Sequence, residues 1–171
     1  MRRILVIGSG GAGKSTLAVR LGEKLGLPVV HLDRLYWYGD WQHLDNDAFD
    51  KALAAELEKP AWVMDGNYGR TLPWRLACCD TVIYLDYPVW TCLRGVIRRA
   101  KQYRGAVRPD MGGQCTERVR PEFLRWILSF RRKKRPAILK LLEQAGTDVK
   151  AYRFTCRRQA ESFLQCAENQ S

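Results

Sequence analysis

The sequence predicts an α/β fold on a five-stranded parallel sheet with helices covering both faces. Three observations carry that prediction. Apolar runs of strand length alternate with amphipathic helical stretches along the chain. "GSGGAGKST", residues 8–16, joins the first such run to the first such helix. Asp33, Asp65 and Asp86 close later runs, and an open parallel sheet binds ligand at the carboxyl ends of its strands.

Residues 2–8 read as a strand that stops at the glycine-rich loop. A helix over 14–26 follows, with Leu17, Leu21 and Leu25 on one face. Gly26 and Pro28 punctuate the chain before a second strand at 27–33. Tyr36, Trp37, Tyr38 and Trp41 make an aromatic loop, and a helix over 46–59 starts from a cap at Asp45 or Asn46. A third strand at 61–65 leads into a loop and short helix over 66–79, then a fourth strand at 81–86. The helix over 89–104 begins just past Pro88. Glycine, proline and charge interrupt residues 105–121, which read as an excursion. Residues 122–146 are helical with a break near Pro136. A fifth strand at 148–154 and a helix over 156–168 complete the pattern. The expectation is one domain over residues 1–171, with a basic lid within about 99–135.

Gly8, four residues and Gly13-Lys14-Ser15 form the phosphate-binding loop pattern. Gly8, Ser9, Gly10, Gly11, Ala12 and Gly13 turn backbone N–H groups toward phosphates, and the helix starting at Lys14, Ser15 and Thr16 favours negative charge. Lys14 is expected on the β- and γ-phosphates of ATP, and Ser15 on Mg²⁺.

No apolar run approaches the roughly 20 residues of a membrane span, and the opening "MRRILVIG" is the first strand rather than a leader. The expected setting is the cytoplasm, which fits six cysteines without paired C-x-x-C spacing. The net charge of +11 is concentrated: between Arg94 and Arg135 there are 14 basic and 3 acidic residues, and the remainder is neutral. That segment must meet something anionic or spread into solvent.

Candidate chemistry clusters at the strand ends. Asp65 and Asp86 both end apolar strands as a metal-holding acid would, and Asp65 is preferred because Gly66 leaves room beside it. Asp33 faces the acceptor side, where a carboxylate can orient a hydroxyl or take its proton; the plainer reading is a helix cap. His31 reads as a packed core histidine. Gly66, Asn67 and Tyr68 offer close approach, hydrogen bonds and a stacking face, and Arg70 a fork for an anion. Tyr36 and Trp37 add an aromatic wall that either stacks on a ligand or covers the sheet. Arg94 and Arg98 share a helix face, where they can bind ATP and the charge that builds during transfer. Arg131, Arg132 and Arg135 can close from beyond the excursion, completing a lid.

Together these residues resemble the nucleoside monophosphate kinase group of P-loop proteins. Within it, "IGSGGAGKSTLA", "HLDRLYW", "DGNYGRTL", "YLDYP", "YRGAVRPDM" and "FLRWI" through "RRKKRP" look like the blocks, in order, of the small adenylate-kinase-related family labelled DNA topology modulation proteins. The resemblance implies a three-layer P-loop fold with ATP at residues 8–16 and an arginine-bearing lid. Asp65-Gly66 matches the start of the "DGFPR" block of adenylate kinases; Asn67, Tyr68 and Gly69 then depart from it, and Arg70 comes one position late.

The reading is a Mg²⁺- and ATP-dependent kinase for a small acceptor, a nucleotide or another metabolite, acting as monomer or homodimer. The alternative is a nucleic-acid-binding ATPase or regulator, carried by the basic segment with Tyr103, Trp126 and Phe130 interleaved. No helix-turn-helix, zinc or RNP-type signature accompanies it, and a lid explains the same arginines, so nucleic acid is not favoured.

Overall fold

A computed structural model describes residues 1–113 and 115–167. The chain runs β1 (Arg3–Gly8), α1 (Lys14–Leu25), β2 (Val29–His31), α2 (Leu32–Tyr36), β3 (Trp37–Tyr38), β4 (Gln42–His43), α3 (Asn46–Leu57), β5 (Trp62–Asp65) and α4 (Leu72–Cys78). It continues through β6 (Thr81–Leu85), α5 (Val89–Gln102), α6 (Pro121–Lys133), α7 (Arg135–Gln144), β7 (Lys150–Phe154) and α8 (Arg157–Cys166). Five strands form one parallel sheet in the order β2-β5-β1-β6-β7.

Strand alternation splits the core in two. Ile4 and Val6 of β1 join Ala18, Leu21, Val96 and Leu164 on one face. Leu5 and Ile7 join Phe49, Leu53, Leu76 and Ile138 on the other. Each such side chain, fully removed from water, contributes about 2 kcal/mol before entropy is charged. The result is three layers, with helices α1, α5 and α8 on one side and α3, α4 and α7 on the other. Helix α6 belongs to both, since Ile127 packs in the first core and Phe130 in the second.

The central strand β1 places the switch point. β5 lies on one side, pairing Val6 with Asp65, and β6 on the other, pairing Gly8 with Leu85. Chain direction therefore opens the crevice where Gly8, Asp65 and Leu85 end their strands.

Local differences from the sequence reading have physical causes. The second strand stops at His31, and Asp33 lies in the first turn of α2 rather than on the strand. The aromatic loop is a small antiparallel hairpin in which Trp37 pairs with His43. Asp45 caps α3, its carboxylate accepting from the Ala48 N–H at 2.8 Å. The break near Pro136 falls at Lys134, and Pro136 sits in the first turn of α7, where its missing N–H leaves no helix bond unmade. The final turn expected at Glu168 lies outside the described residues. No helix among the described residues is long and apolar enough to cross a membrane.

Candidate active site at the phosphate loop

The loop after β1 turns through glycines that no L side chain replaces cheaply. Gly11 and Gly13 have φ of +75° and +94°. A Cβ on Gly11 would meet the Cys92 carbonyl at 2.1 Å, and one on Gly95 would meet the Gly11 carbonyl at 2.0 Å. Helix α5 thus lies against the loop backbone itself. Gly10 is covered from the other side, where a Cβ would meet the Phe123 ring of α6 at 2.5 Å. The first-turn N–H groups of α1 have no capping side chain, and the turn itself holds no acidic residue, so they are open to an anion.

A cavity of about 510 Å³ lies at this point. Residues 11–17 line it, including Lys14, Ser15 and Thr16, and facing them are Arg98, Arg99, Arg108 and Arg157. Gly8 and Ser9 are buried beneath the loop, and the Gly8 N–H donates to Asn67 Oδ1 at 3.0 Å. Lys14 Nζ donates to the Ser9 carbonyl at 3.2 Å. Burial lowers the Lys14 pKa, with the charges of Asp65 and Asp33 opposing and that of Arg99 assisting. Asp65, Asp33 and Arg99 are thus the charged groups that act on Lys14 most strongly.

Asp65 ends β5 fully inside the protein. Its Oδ1 lies 3.0 Å from His31 Nδ1, its cross-strand neighbour, while Oδ2 is buried without a hydrogen-bond partner. Burial acts to lower the His31 pKa, but the hydrogen bond and charge of Asp65 outweigh it and raise it above the usual value. His31 is the buried, hydrogen-bonded histidine the sequence implies. Asp86 is different. Arg135 Nε lies 2.9 Å from Asp86 Oδ2, Arg153 Nη2 lies 2.7 Å from it, and Arg131 stands 3.8 Å from Oδ1. Its charge is spent on arginines, so of the two strand-end acids only Asp65 keeps a buried oxygen to offer.

Asp33 receives the Tyr68 hydroxyl on Oδ1 at 2.8 Å. Burial raises the Asp33 pKa above the usual carboxylate range, against the pull of Tyr68 and Lys14. Tyr68 belongs to the loop "DGNYGR", whose shape is set by a residue the sequence reading passed over. Arg75, fully buried, donates to the carbonyls of Gly66, Asn67 and Tyr68 at 3.1, 2.6 and 3.0 Å. Burial lowers its pKa to about 10, which still leaves it charged. Gly66 is required here, with φ +134° and a virtual Cβ 2.8 Å from Leu32 Cβ. Tyr36 and Trp37 pack in an aromatic group with His43, Phe49 and Tyr68.

Three expected placements are corrected. Arg70 does not present a free fork: both terminal nitrogens bind Asp50 of α3, at 2.8 and 2.6 Å. Arg131 and Arg135 turn to Asp86 instead of lining the cavity, because that buried carboxylate needs compensation. Arg94 is exposed and away from the cavity lining, while Arg98, one turn on, reaches it. The arginines that take their place are Arg99 and Arg108. Arg108 lay in plain view in "RPDM", but only its burial, at 8% exposure, marks it out.

No family model and no curated protein sequence matches this chain. Solved structures do. A shikimate kinase from Bacteroides thetaiotaomicron is 19% identical with a TM-score of 0.56, covering 99% of this chain and 97% of its own. A shikimate kinase from Acinetobacter baumannii in complex with shikimate is also 19% identical at 0.56, covering 100% and 95%. The deoxyadenosine kinase from M. mycoides with bound dATP is 12% identical with a TM-score of 0.53, covering 97% and 98%. The chain has the nucleoside-monophosphate-kinase-like P-loop fold of these kinases.

Proposed function

We propose that this protein is a Mg²⁺-dependent kinase that moves the γ-phosphoryl group of ATP to a hydroxyl of a small acceptor. One observation carries the reading: the loop residues Gly13, Lys14, Ser15 and Thr16 share one cavity of about 510 Å³ with Arg98, Arg99 and Arg108, the setting a nucleoside triphosphate's phosphates need. The fold shared with kinases of small molecules, one of them holding dATP, supports it, as do the sequence blocks resembling the adenylate-kinase-related family.

The residues fit magnesium. Asp65 Oδ2 is a buried carboxylate oxygen without a partner, and Ser15 opens the loop helix at the cavity. These two would hold the ion, which when bound neutralises charge on the β- and γ-phosphates. The protein's own groups supply the rest. The loop N–H groups and Lys14 bind the donor phosphates. Arg98, Arg99 and Arg108 stand across the cavity, placed to stabilise charge as the phosphoryl group moves. Tyr68 occupies Asp33 Oδ1 and fixes the carboxylate, leaving Oδ2 to orient the acceptor hydroxyl and take its proton. His31 holds Asp65 in place from β2. The hairpin aromatics wall the acceptor side.

The test is ADP formation with MgATP across nucleoside monophosphates, nucleosides, sugars and metabolite alcohols. A folded Lys14→Ala protein with undiminished turnover would end the reading. Nucleic-acid binding is the second reading, and the exposed run Arg132, Lys133 and Lys134 is what supports it.

A further inference from the structure

The lid touches both halves of the site through four consecutive residues. Cys115 Sγ donates to the Gly39 carbonyl at 3.4 Å, and the Thr116 carbonyl accepts from Trp41 Nε1 at 3.2 Å. Arg118 pairs with Asp40 at 3.4 Å. All three partners lie on the turn between β3 and β4. Nearby, a Cβ on Gly112 would meet the Trp37 carbonyl at 2.2 Å, so lid and hairpin backbones touch. Between these anchors stands Glu117, whose side chain is 2% exposed. Its Oε1 accepts from Arg99 Nε at 2.9 Å, and its Oε2 lies 2.8 Å from Arg108 Nε. The Glu117 N–H is itself held by the Ala106 carbonyl at 3.0 Å.

Both arginines line the phosphate cavity, and like charges this close repel. Burial lowers the Arg99 pKa, and the charge of Arg108 lowers it further, while Glu117 opposes both. Asp110 balances Arg108 from one side, its Oδ2 3.1 Å from Arg108 Nη1, but Glu117 is the carboxylate that meets both guanidinium groups at once. It engages Arg99 through Nε, which leaves both terminal nitrogens of that guanidinium for other ligands.

We infer that Glu117 is a positioning residue for phosphoryl transfer, holding Arg99 and Arg108 at the phosphate cavity while residues 115–118 are seated on the acceptor hairpin. Enclosing the acceptor and setting the arginines are then one event. The inference rests on the kinase reading and goes beyond it, because it assigns the placement of both arginines to a carboxylate buried behind them.

Glu117→Gln keeps the shape and removes the charge. The measurements are MgATP affinity by calorimetry, ADP formation with and without acceptor, and hydrogen exchange of residues 104–113 and 115–120. The expected result is a kcat lower by roughly 10- to 100-fold, the cost of a small misplacement of reacting groups, with MgATP affinity changed less than about 3-fold. Exchange in the lid should quicken even without nucleotide. In an Arg108→Ala background the same change should cost less than about 2-fold, since the two residues act as a unit. Glu117→Asp should recover part of the rate. Unchanged kcat and unchanged lid exchange in Glu117→Gln would overturn the inference, as would full additivity with Arg108→Ala, which would mean that the two residues act independently. Failure of the unmodified protein to bind MgATP would instead overturn the kinase reading beneath it.

Discussion

The two arms that flank residues 105–120 carry similar charge and pair it in opposite ways. On the arm leading in, Arg98 and Arg99 of α5 and Arg108 beyond it line the cavity at the loop after β1. On the arm leading out, Arg131 and Arg135 turn to Asp86 at the end of β6. The difference lies in what each arm meets. Asp86 is a buried carboxylate at 1% side-chain exposure, and leaving it unpaired is costly, so the nearest cations are drawn to it. The inbound arm meets a cavity lined by backbone N–H groups and Lys14, which attracts an anion rather than supplying one. One arm is an anchor; in the kinase reading proposed above, the other is the working surface. Density of positive charge along the chain does not distinguish them.

The largest expected effect tests the working surface at its centre. Lys14→Ala should lower ADP formation by about 10³-fold or more, while circular dichroism and the thermal midpoint stay near those of the parent protein. Among the described residues its ammonium has the Ser9 carbonyl as its one hydrogen-bond partner, so little of the fold depends on it.

Next come the arginines, which divide the arms most directly. Arg108→Ala should reduce kcat by about 10²-fold. Arg135→Ala should leave kcat within about 3-fold but cost about 2 kcal/mol of stability, the scale of a hydrogen bond to a charged group. Chemical denaturation and steady-state kinetics on the same two proteins decide this. A reversed pattern would mean that the outbound arm does the chemistry.

The two strand-end acids repeat the contrast. Asp65→Asn should raise the Mg²⁺ concentration needed for half-maximal turnover by about 10-fold. Asp86→Asn should leave that requirement unchanged and appear as lost stability. Equal shifts in both variants would remove the distinction between a metal-facing acid and an anchoring one.

A smaller effect concerns pH. Asp33 acts as a base only when ionised, and burial raises its pKa. The rate should therefore fall on the acid side at a higher pH than an ordinary carboxylate would produce. Tyr68→Phe, which removes the hydrogen bond favouring the charged form, should move that limb higher still. A limb that stays put, or moves down, would separate Asp33 from proton transfer.

The smallest effect is expected at Lys133 and Lys134. Changing either to Ala should alter turnover by less than about 2-fold, because both are exposed between the anchoring residues Arg131 and Arg135. Sub-micromolar duplex DNA binding at physiological salt, lost in graded steps across Arg132, Lys133 and Lys134, would move the protein to its alternative function. Such binding would weaken with salt by a slope of about 0.9 per phosphate neutralised.

The sequence by itself determined the sheet, the loop and the order of the layers. Strand and helix periods are properties of neighbouring residues, and so is the run Gly8 to Ser15, whose glycines and lysine act through local backbone geometry. Asp65 was legible for the same reason, as an acid ending an apolar strand before a glycine. Only the tertiary structure decided the partners of the charged side chains. Arg135 finds Asp86 across 49 residues, Arg70 finds Asp50 across 20 and Arg99 finds Glu117 across 18. Arg75, which holds the carbonyls of the loop after β5, gives no sign in sequence that it is wholly buried. A long cationic side chain reaches several turns of chain in any direction, and its choice depends on which carboxylate the fold has deprived of water. That deprivation is created when helices close over the sheet, so no local pattern records it.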